Sequence, residues 1–410
     1  MTILQKVAAL SLAMNLAACS GVSTEAQRVA GAPLVGSVAP RDDADTFARV
    51  RWADGRVVTL LVTGFDRHGV RAVDLTAFGA PLDADVFDVI AALGTSALDK
   101  ARRANADHVY ALGELLPSAG SPTRQLATGT NFRAHARETE IEEVFNFPKF
   151  GPATPSRTTV ALRSGVLLDY EVEICARFDR DIRTVADFDA ARKGFFLCGD
   201  FTDRASLMRL VDPKNLASGK GFSDAKSEAD FFPTGPFLVV PRDWRAFVRS
   251  QRMTTRVNEE LRQDARGGEM ILDFRAIVQK ALTNGGGGSY TFKGAAIPLL
   301  SGGTISRGSA VMSGTADGVV FRPPQLSDYV SGGRRYIFTG PMFRGDSAQR
   351  VMIEGFIEKE RRSGRYLKPG DLVAHSSSSM GDLQVEVIGR TPRTVTAAAS
   401  ARADGEGPGG

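Results

Sequence analysis

The sequence predicts an α+β chain that is mainly β, with a small N-terminal α+β accessory unit ahead of a larger body. Three observations support this class. Apolar and polar residues alternate with a period near two on both sides of Asp54-Gly55, the pattern of a β-hairpin. Through the middle of the chain, apolar runs are short and cut by Gly and Pro, which suits strands better than helices. Helical spacing is local, as in Val86, Val89, Ile90 and Leu93 before the stop residue Gly94. With 410 residues and 43% hydrophobic content, the chain can bury a sizeable core.

The elements follow in order. Lys6 precedes the apolar stretch 7–18, which Ser11 and Asn15 interrupt and which is too short to span a bilayer. It reads as an export signal. Its end, Leu16-Ala17-Ala18-Cys19-Ser20, resembles a bacterial lipobox. Residues 1–19 are therefore expected to be a lipoprotein signal, with Cys19 lipidated and the protein anchored in the periplasm. A plain signal peptide, or a mis-assigned start on a cytoplasmic enzyme, is the competing reading. Residues 20–45, rich in Ala, Gly, Ser and Pro, have the composition of a tether. The hairpin opens the accessory unit, residues 46–121, in which a second, polar helix over 96–106 follows Gly94.

Residues 122–392 form the body. Asp273 is placed to cap a helix running to Leu282, with Ile277, Val278 and Ala281 turned inward. Asn284 and the four glycines after it lack the Gly-Lys-Ser/Thr of a phosphate loop, so a flexible loop is expected. Residues 347–361 read as an amphipathic helix with Met352, Ile353, Phe356 and Ile357 on one side, within extra length between 322 and 363. Core packing is the simplest role for it, and covering a pocket or a subunit interface are the others. The tail, 393–410, is small, polar and Gly-rich and is expected to be disordered.

The net charge of +4, with no basic run and no basic patch interleaved with aromatics, gives no footprint for nucleic acid. The chemistry lies in the carboxylates. In Leu168-Asp169-Tyr170-Glu171-Val172-Glu173-Ile174, residues two apart on a strand share a face, so Glu171 and Glu173 stand side by side and repel. Water or a divalent cation between them relieves the repulsion. The apolar run 194–199 then ends in Asp200, so two strands would supply three carboxylates to Mg²⁺, with Mn²⁺ or Ca²⁺ as alternatives. Of the histidines, His68 and His108 suit surface or structural positions, and His375, ahead of four serines, reads as a loop residue. His135 differs, because Glu138 one helical turn on would orient and charge-stabilise the imidazole.

The wider pattern resembles the fumarylacetoacetate hydrolase superfamily, from about residue 47 to about residue 390. Gly129 to Glu138 is similar to that family's Gly-x-Asn-Tyr-x-x-His-x-x-Glu block, and Glu171-Val172-Glu173 to its metal-binding strand. Gly194 to Arg204 follows its Gly-Tyr-x-x-x-Asn-Asp-x-Ser-x-Arg segment, with the third ligand at Asp200. Lys226 stands ahead of Pro233-Thr234-Gly235-Pro236 as the family lysine does, and 257–263 and 313–319 match the blocks that close its pocket. Gly199, Ala205 and Ala229 depart from the pattern, at positions that tune ligand orientation and substrate choice.

The resemblance implies a fumarylacetoacetase-like β-roll or sandwich body and a small-molecule 2-oxo acid as substrate. Glu171, Glu173 and Asp200 would hold the ion, His135 with Glu138 and Lys226 would be catalytic, and Arg204, Gln263 and Thr315 would bind substrate. The reaction ranked first is hydrolysis of a C–C bond in an acylpyruvate. The same chemistry serves a 2-oxo-4-enoate hydratase, an oxo-acid decarboxylase or an isomerase, and a non-catalytic binding lipoprotein is a further alternative. A homodimer is also implied. Finally, Cys175 and Cys198 each lie two residues from a carboxylate on its strand face. If Glu173 lies opposite Asp200 in antiparallel strands, the cysteines fall opposite each other at disulfide spacing. Because that adjacency is assumed, two buried free thiols are the simpler expectation.

Overall fold

The hairpin about Asp54-Gly55 forms as its turn chemistry dictates. Ala44–Arg51 pairs antiparallel with Val57–Asp66, and Gly55 takes a φ of 92°, a left-handed value that costs glycine little. The structure, a computed structural model, describes residues 34–389 apart from 67, 107, 213, 216–217, 286–289 and 324–346. The signal, Cys19, most of the tether, most of the four-glycine loop and the tail lie outside the described residues.

Ala44–Arg51 also pairs with Leu238–Pro241, and through that contact the N-terminal strands extend the sheet of the body. The resulting ten-stranded sheet runs His108–Tyr110, Gly69–Asp74, Val57–Asp66, Ala44–Arg51, Leu238–Pro241, Lys193–Gly199, Val172–Phe178, Val311–Met312, Arg124–Gly129 and Phe145–Phe150. At its centre Val172–Phe178 and Lys193–Gly199 pair antiparallel, and every residue of both is buried. That explains their near-continuous apolar composition. A five-stranded sheet, Glu260–Arg266, Arg252–Val257, Leu372–Ser377, Asp382–Gly389 and Arg157–Leu162, shares one core with it through Ile174, Leu197, Met253, Val373 and Val385. The fold is thus mixed and strand-rich, with extra strands and a helix ahead of the body.

Helices end and begin where the sequence marks them. Val86–Arg103 is capped by Asp85, whose carboxylate accepts the Phe87 N–H, and it kinks at Gly94, where φ is 66°. Gly94 is non-helical, so the two helices expected on either side of it are there as two segments that meet at this kink. Asp273 caps Phe274–Asn284 by accepting the Ala276 N–H, and Ile277, Val278 and Ala281 are buried as expected. His375, expected in a loop, lies instead on Leu372–Ser377, buried among the strands of the second sheet.

Two corrections shape the site. Residues 168–174 are not one strand: Leu168–Asp169 pairs with Thr202–Asp203, whereas Val172–Phe178 pairs with Lys193–Gly199. Both chains break at one level, over 170–171 and 200–201, and the Asp200 N–H donates to the Glu171 carbonyl across the break at 2.9 Å. The register is also offset by two residues from the assumed one. Glu171, not Glu173, faces Asp200, while Cys198 faces Glu173 and Cys175 faces Phe196. The cysteines are bridged nonetheless, diagonally across the ladder with Cα atoms 6.0 Å apart, inside the roughly 4.4–6.8 Å a disulfide accepts.

The bridge closes a loop between residues 23 apart. The double variant Cys175→Ala/Cys198→Ala should lose roughly 3 kcal/mol of unfolding free energy in denaturant titrations without reductant. In the unfolded, unreduced wild type neither cysteine should react with a thiol reagent. Two reactive thiols there would contradict the bridge.

Candidate metal centre and active-site cavity

The strand break delivers carboxylates to one point. Glu171 sits in the break, Glu173 enters the following strand two residues on, and Asp200 ends the paired chain. Ligand oxygens of all three lie within 4.8 Å of one another, and all three side chains are buried. Like charges this close are tolerated only with compensation. Lys226, at the end of the helix Phe222–Lys226, donates to Glu171 Oε2 at 2.7 Å, Asp200 Oδ2 at 2.8 Å and Thr202 Oγ1 at 2.7 Å. Lys149 donates to Asp200 Oδ1 at 2.7 Å, to the Phe231 carbonyl at 3.2 Å and to the Lys226 carbonyl. Arg204 opens the helix Arg204–Leu210 and spans Asp169 Oδ2 at 2.8 Å and Glu171 Oε1 at 2.7 Å. Glu173 Oε2 accepts the Gly314 N–H at 2.8 Å.

Counted with every group ionised, four carboxylates (Asp169, Glu171, Glu173, Asp200) and three cations (Lys149, Arg204, Lys226) leave one net negative charge. Burial, then the charges of Asp200 and Glu171, push Glu173 well above the usual carboxylate range. For Glu171, burial acts upward, but Lys226, Arg204 and His135 together hold it below its ordinary value. Burial lowers Lys149 more than Asp200 restores, whereas at Lys226 the pull of Asp200 and Glu171 exceeds the effect of burial and leaves it raised. The donor set fits a divalent cation: all three groups offer hard oxygens, each oxygen keeps a second lone pair, and two added charges would make the centre net positive. Such a centre suits an anionic ligand.

His135 comes from the helix Arg133–Thr139, whose C-terminal residue Glu140 closes it in the left-handed conformation at φ 58°. Its Nδ1 bonds Glu138 Oε2 at 2.9 Å, and Glu138 Oε1 accepts the Gly318 N–H at 3.1 Å, so the pair is held from both ends. His135, Glu171, Arg204, Lys226 and Thr315 line one cavity of about 480 Å³. The structure thus brings the expected residues together, with one correction. Glu138, Glu173 and Asp200 stand behind the wall in contact with lining residues or within the carboxylate cluster, and Gln263 does not line the cavity either. Its Oε1 accepts from the Val172 N–H at 3.1 Å and the Thr255 hydroxyl at 2.8 Å, and its Nε2 donates to Thr315 Oγ1 at 3.0 Å and the Ala316 carbonyl at 2.9 Å. With its amide saturated by protein, it positions Thr315.

Lys149 was missed. A lysine inside the run Phe145-Asn146-Phe147-Pro148-Lys149-Phe150 is a signal, since a buried strand keeps an ammonium only with a partner. Asp169 was missed as an ion-pair partner, although it also accepts the backbone N–H groups of Tyr170, Val320 and Phe321. Nothing in the sequence pairs it with Arg204 before the break is known.

Residues 124–388 match the family described as fumarylacetoacetate (FAA) hydrolase C-terminal, and the chain belongs to that family. Uncharacterized proteins of Staphylococcus aureus, that of strain USA300 among them, are 28% identical over 175 residues, 41% of this chain and 55% of theirs. The chain thus spans about half the length of these curated relatives. Among solved structures it is similar to a probable 2-hydroxyhepta-2,4-diene-1,7-dioate isomerase from Mycobacterium abscessus, at TM-score 0.51 and 20% identity over 85% of this chain and 100% of that one. It is also similar to a fumarylacetoacetate hydrolase from Exiguobacterium antarcticum, at TM-score 0.49 and 21% identity over 84% and 100%. The first of these shows the fold and nothing finer.

The buried His375 of the second sheet generates a stability prediction. Its Nδ1 bonds Thr255 Oγ1 at 2.8 Å, and burial pushes its pKa down to about 3 from 6.5. The unfolded chain therefore binds the extra proton between those values, and the contribution is present above about 6.5 and lost as pH falls, by about 1.4 kcal/mol per unit. Near pH 5 the loss should be about 2 kcal/mol by denaturant titration. His375→Gln, which takes no proton, should flatten that part of the profile. Equal slopes in the two proteins would show that His375 is not the cause.

Proposed function

We propose that this chain is a metal-dependent hydrolase that cleaves a C–C bond in an acylpyruvate-like β-diketo 2-oxo acid. The observation that carries the reading is that one cavity is lined both by His135, bound to Glu138, and by Glu171 of the buried three-carboxylate cluster. Proton transfer and enolate stabilisation would then act on one bound molecule. Members of the family are enzymes, which supports catalysis over simple capture of a ligand.

In this reading His135, its Nδ1 held by Glu138, takes a proton from water at its other ring nitrogen. The water oxygen bonds to the C4 carbonyl carbon, the C3–C4 bond breaks, and its electron pair passes to C3. The proton returns from His135 to C3, so one acylpyruvate and one water give a carboxylic acid and pyruvate. Glu171, Glu173 and Asp200 would hold a divalent ion, Mg²⁺ first with Mn²⁺ or Ca²⁺ as alternatives, and that ion would supply Lewis acidity to the 2-oxo acid. Lys226 and Arg204 add fixed charge where negative charge develops, a contribution of roughly 10² to 10³ in rate. Thr315, whose hydroxyl donates its proton to the Val172 carbonyl at 3.0 Å and accepts from Gln263, would offer a substrate donor its remaining lone pair.

The proposal includes export, a lipid on Cys19 and a homodimer built on the body. The buried Cys175–Cys198 bridge supports an oxidising compartment. Mass spectrometry of membrane fractions tests the lipid, and light scattering on the chain without residues 1–19 tests the dimer. A monomer at micromolar concentration overturns the latter.

The central test is hydrolysis of a panel of acylpyruvates with Mg²⁺, after EDTA and after Mg²⁺ is restored. Cleavage should vanish with chelation and return with the metal, whereas binding of 2-oxo acids without products would make the protein a capture protein. By calorimetry, Ala at Glu171, Glu173 or Asp200 should abolish divalent binding. His135→Ala should keep that binding while turnover falls about 10²- to 10⁴-fold. Loss of the ion in that variant would make His135 a ligand instead.

A further inference from the structure

The cavity has two unlike ends. Around Glu171 it is polar, with His135, Thr315, Arg204 and Lys226. Elsewhere its wall is built from Phe145, Phe222, Leu207, Met208, Met352 and Phe356. These come from separate elements: Phe145 opens the edge strand Phe145–Phe150, Phe222 starts the Lys226 helix, and Leu207 and Met208 lie on the helix Arg204–Leu210. Met352 and Phe356, one turn apart, face in from Ala348–Ser363. That helix is docked by Phe356 and Ile357 packing with Met208 and Ala205, and by Arg209 gripping both oxygens of Glu354 at 2.7 and 2.9 Å. The amphipathic helix read from the sequence therefore closes the cavity.

The geometry points to a substrate with one carboxylate, at its 2-oxo end, and a bulky apolar group, alkyl or aryl, at the other. This rests on the acylpyruvate reading and specifies its acyl part. About 480 Å³ lies within the roughly 300 to 1,000 Å³ of sites that enclose drug-sized ligands, far more than a pyruvate unit fills. Among the described lining residues, a second carboxylate finds no free cation. Among the described residues lining the cavity, the cations are Arg204 and Lys226, and both are already committed to the carboxylates of the centre. Glu140, also on the wall, would repel a distal anion. A carboxylate moved from water to this mostly apolar surface exchanges its hydration for at most the Gln349 amide and the hydroxyls of Thr130 and Thr139, whereas each methylene gains by leaving water. Met208 and Met352, unbranched and polarizable, let the wall adapt to tails of different shape.

The test uses the whole chain with Mg²⁺. Rates are measured for acetyl-, butyryl-, hexanoyl-, octanoyl- and fumarylpyruvate, and calorimetry measures affinities for 2-oxobutyrate, 2-oxohexanoate, 2-oxooctanoate and 2-oxoadipate. Both kcat/KM and affinity should rise about fourfold per added methylene until the cavity is filled. Fumarylpyruvate and 2-oxoadipate should trail apolar compounds of like length by about 100-fold. Met352→Lys should narrow or invert that gap, while the volume-conserving Met352→Leu should keep it. A flat series, or a preference for the dicarboxylates, overturns the inference and leaves hydrolysis standing. Affinity that climbs with tail length while no acylpyruvate is cleaved defeats hydrolysis and leaves the apolar end standing. No binding by any member defeats both.

Discussion

Burying acidic groups beside one another is the constraint on which the rest of this structure depends. Asp169, Glu171, Glu173 and Asp200 lie out of water within one cluster, and in isolation such a group would neutralise itself or unfold the chain. Lys149 arrives on an edge strand of the large sheet, Lys226 on a short helix, and Arg204 at the start of another helix. Each must reach its carboxylate with a buried stem. Displacing any of these elements would leave a charge unpaired, a change costing about 3 to 5 kcal/mol. The packing of three sequence-distant elements is therefore set by electrostatics as much as by apolar contact.

The break in the central ladder serves the same end. Continuous pairing would keep Glu171 and Asp200 in a flat ladder, whereas interruption at 170–171 and 200–201 lets the chain re-pair as Leu168–Asp169 with Thr202–Asp203. Asp169 then meets Arg204, and Thr202 meets Lys226. The Cys175–Cys198 bridge lies on the same face as the ligands, within the unbroken part of the ladder. A two-residue slip of the strands would keep side chains on their face but would move Asp200 from Glu171 to Glu173. The bridge does not choose between those registers, since the slipped one would set Cys175 directly opposite Cys198 at a spacing that a disulfide also accepts. The contacts of Lys226 with both Glu171 and Asp200 hold the alignment.

What could be read from the sequence was whatever is local. The Asp54-Gly55 turn, the Asp85 and Asp273 caps and the His135–Glu138 spacing are each set within one turn of chain, and each appears in the structure. The Glu171, Glu173 and Asp200 cluster was legible from its spacing, although Glu171 lies in the strand break and reaches the others through the bend, not through strand parity. Register was not, because parity is unchanged by a slip of two residues and only the distant partners Arg204, Lys226 and Lys149 select one alignment. Gln263 shows a different limit. Its place beside Thr315 was legible, yet its role follows from four hydrogen-bond partners on three other segments, which no local pattern reveals.

The same distinction separates the two ends of the cavity. The polar end is assembled from spaced acidic and basic residues whose chemistry restricts what can stand there, so a motif survives in the sequence. The apolar end needs only hydrophobic volume, which many residue types supply, and no motif records it. Ala205 marks the junction: it follows Arg204 and is buried in one apolar cluster with Phe356 and Ile357 of the closing helix. An acid at that position would carry charge into the contact that docks the helix. A small, uncharged side chain at 205 therefore fits the apolar contact that closes the cavity, which ties this residue to the character of the wall.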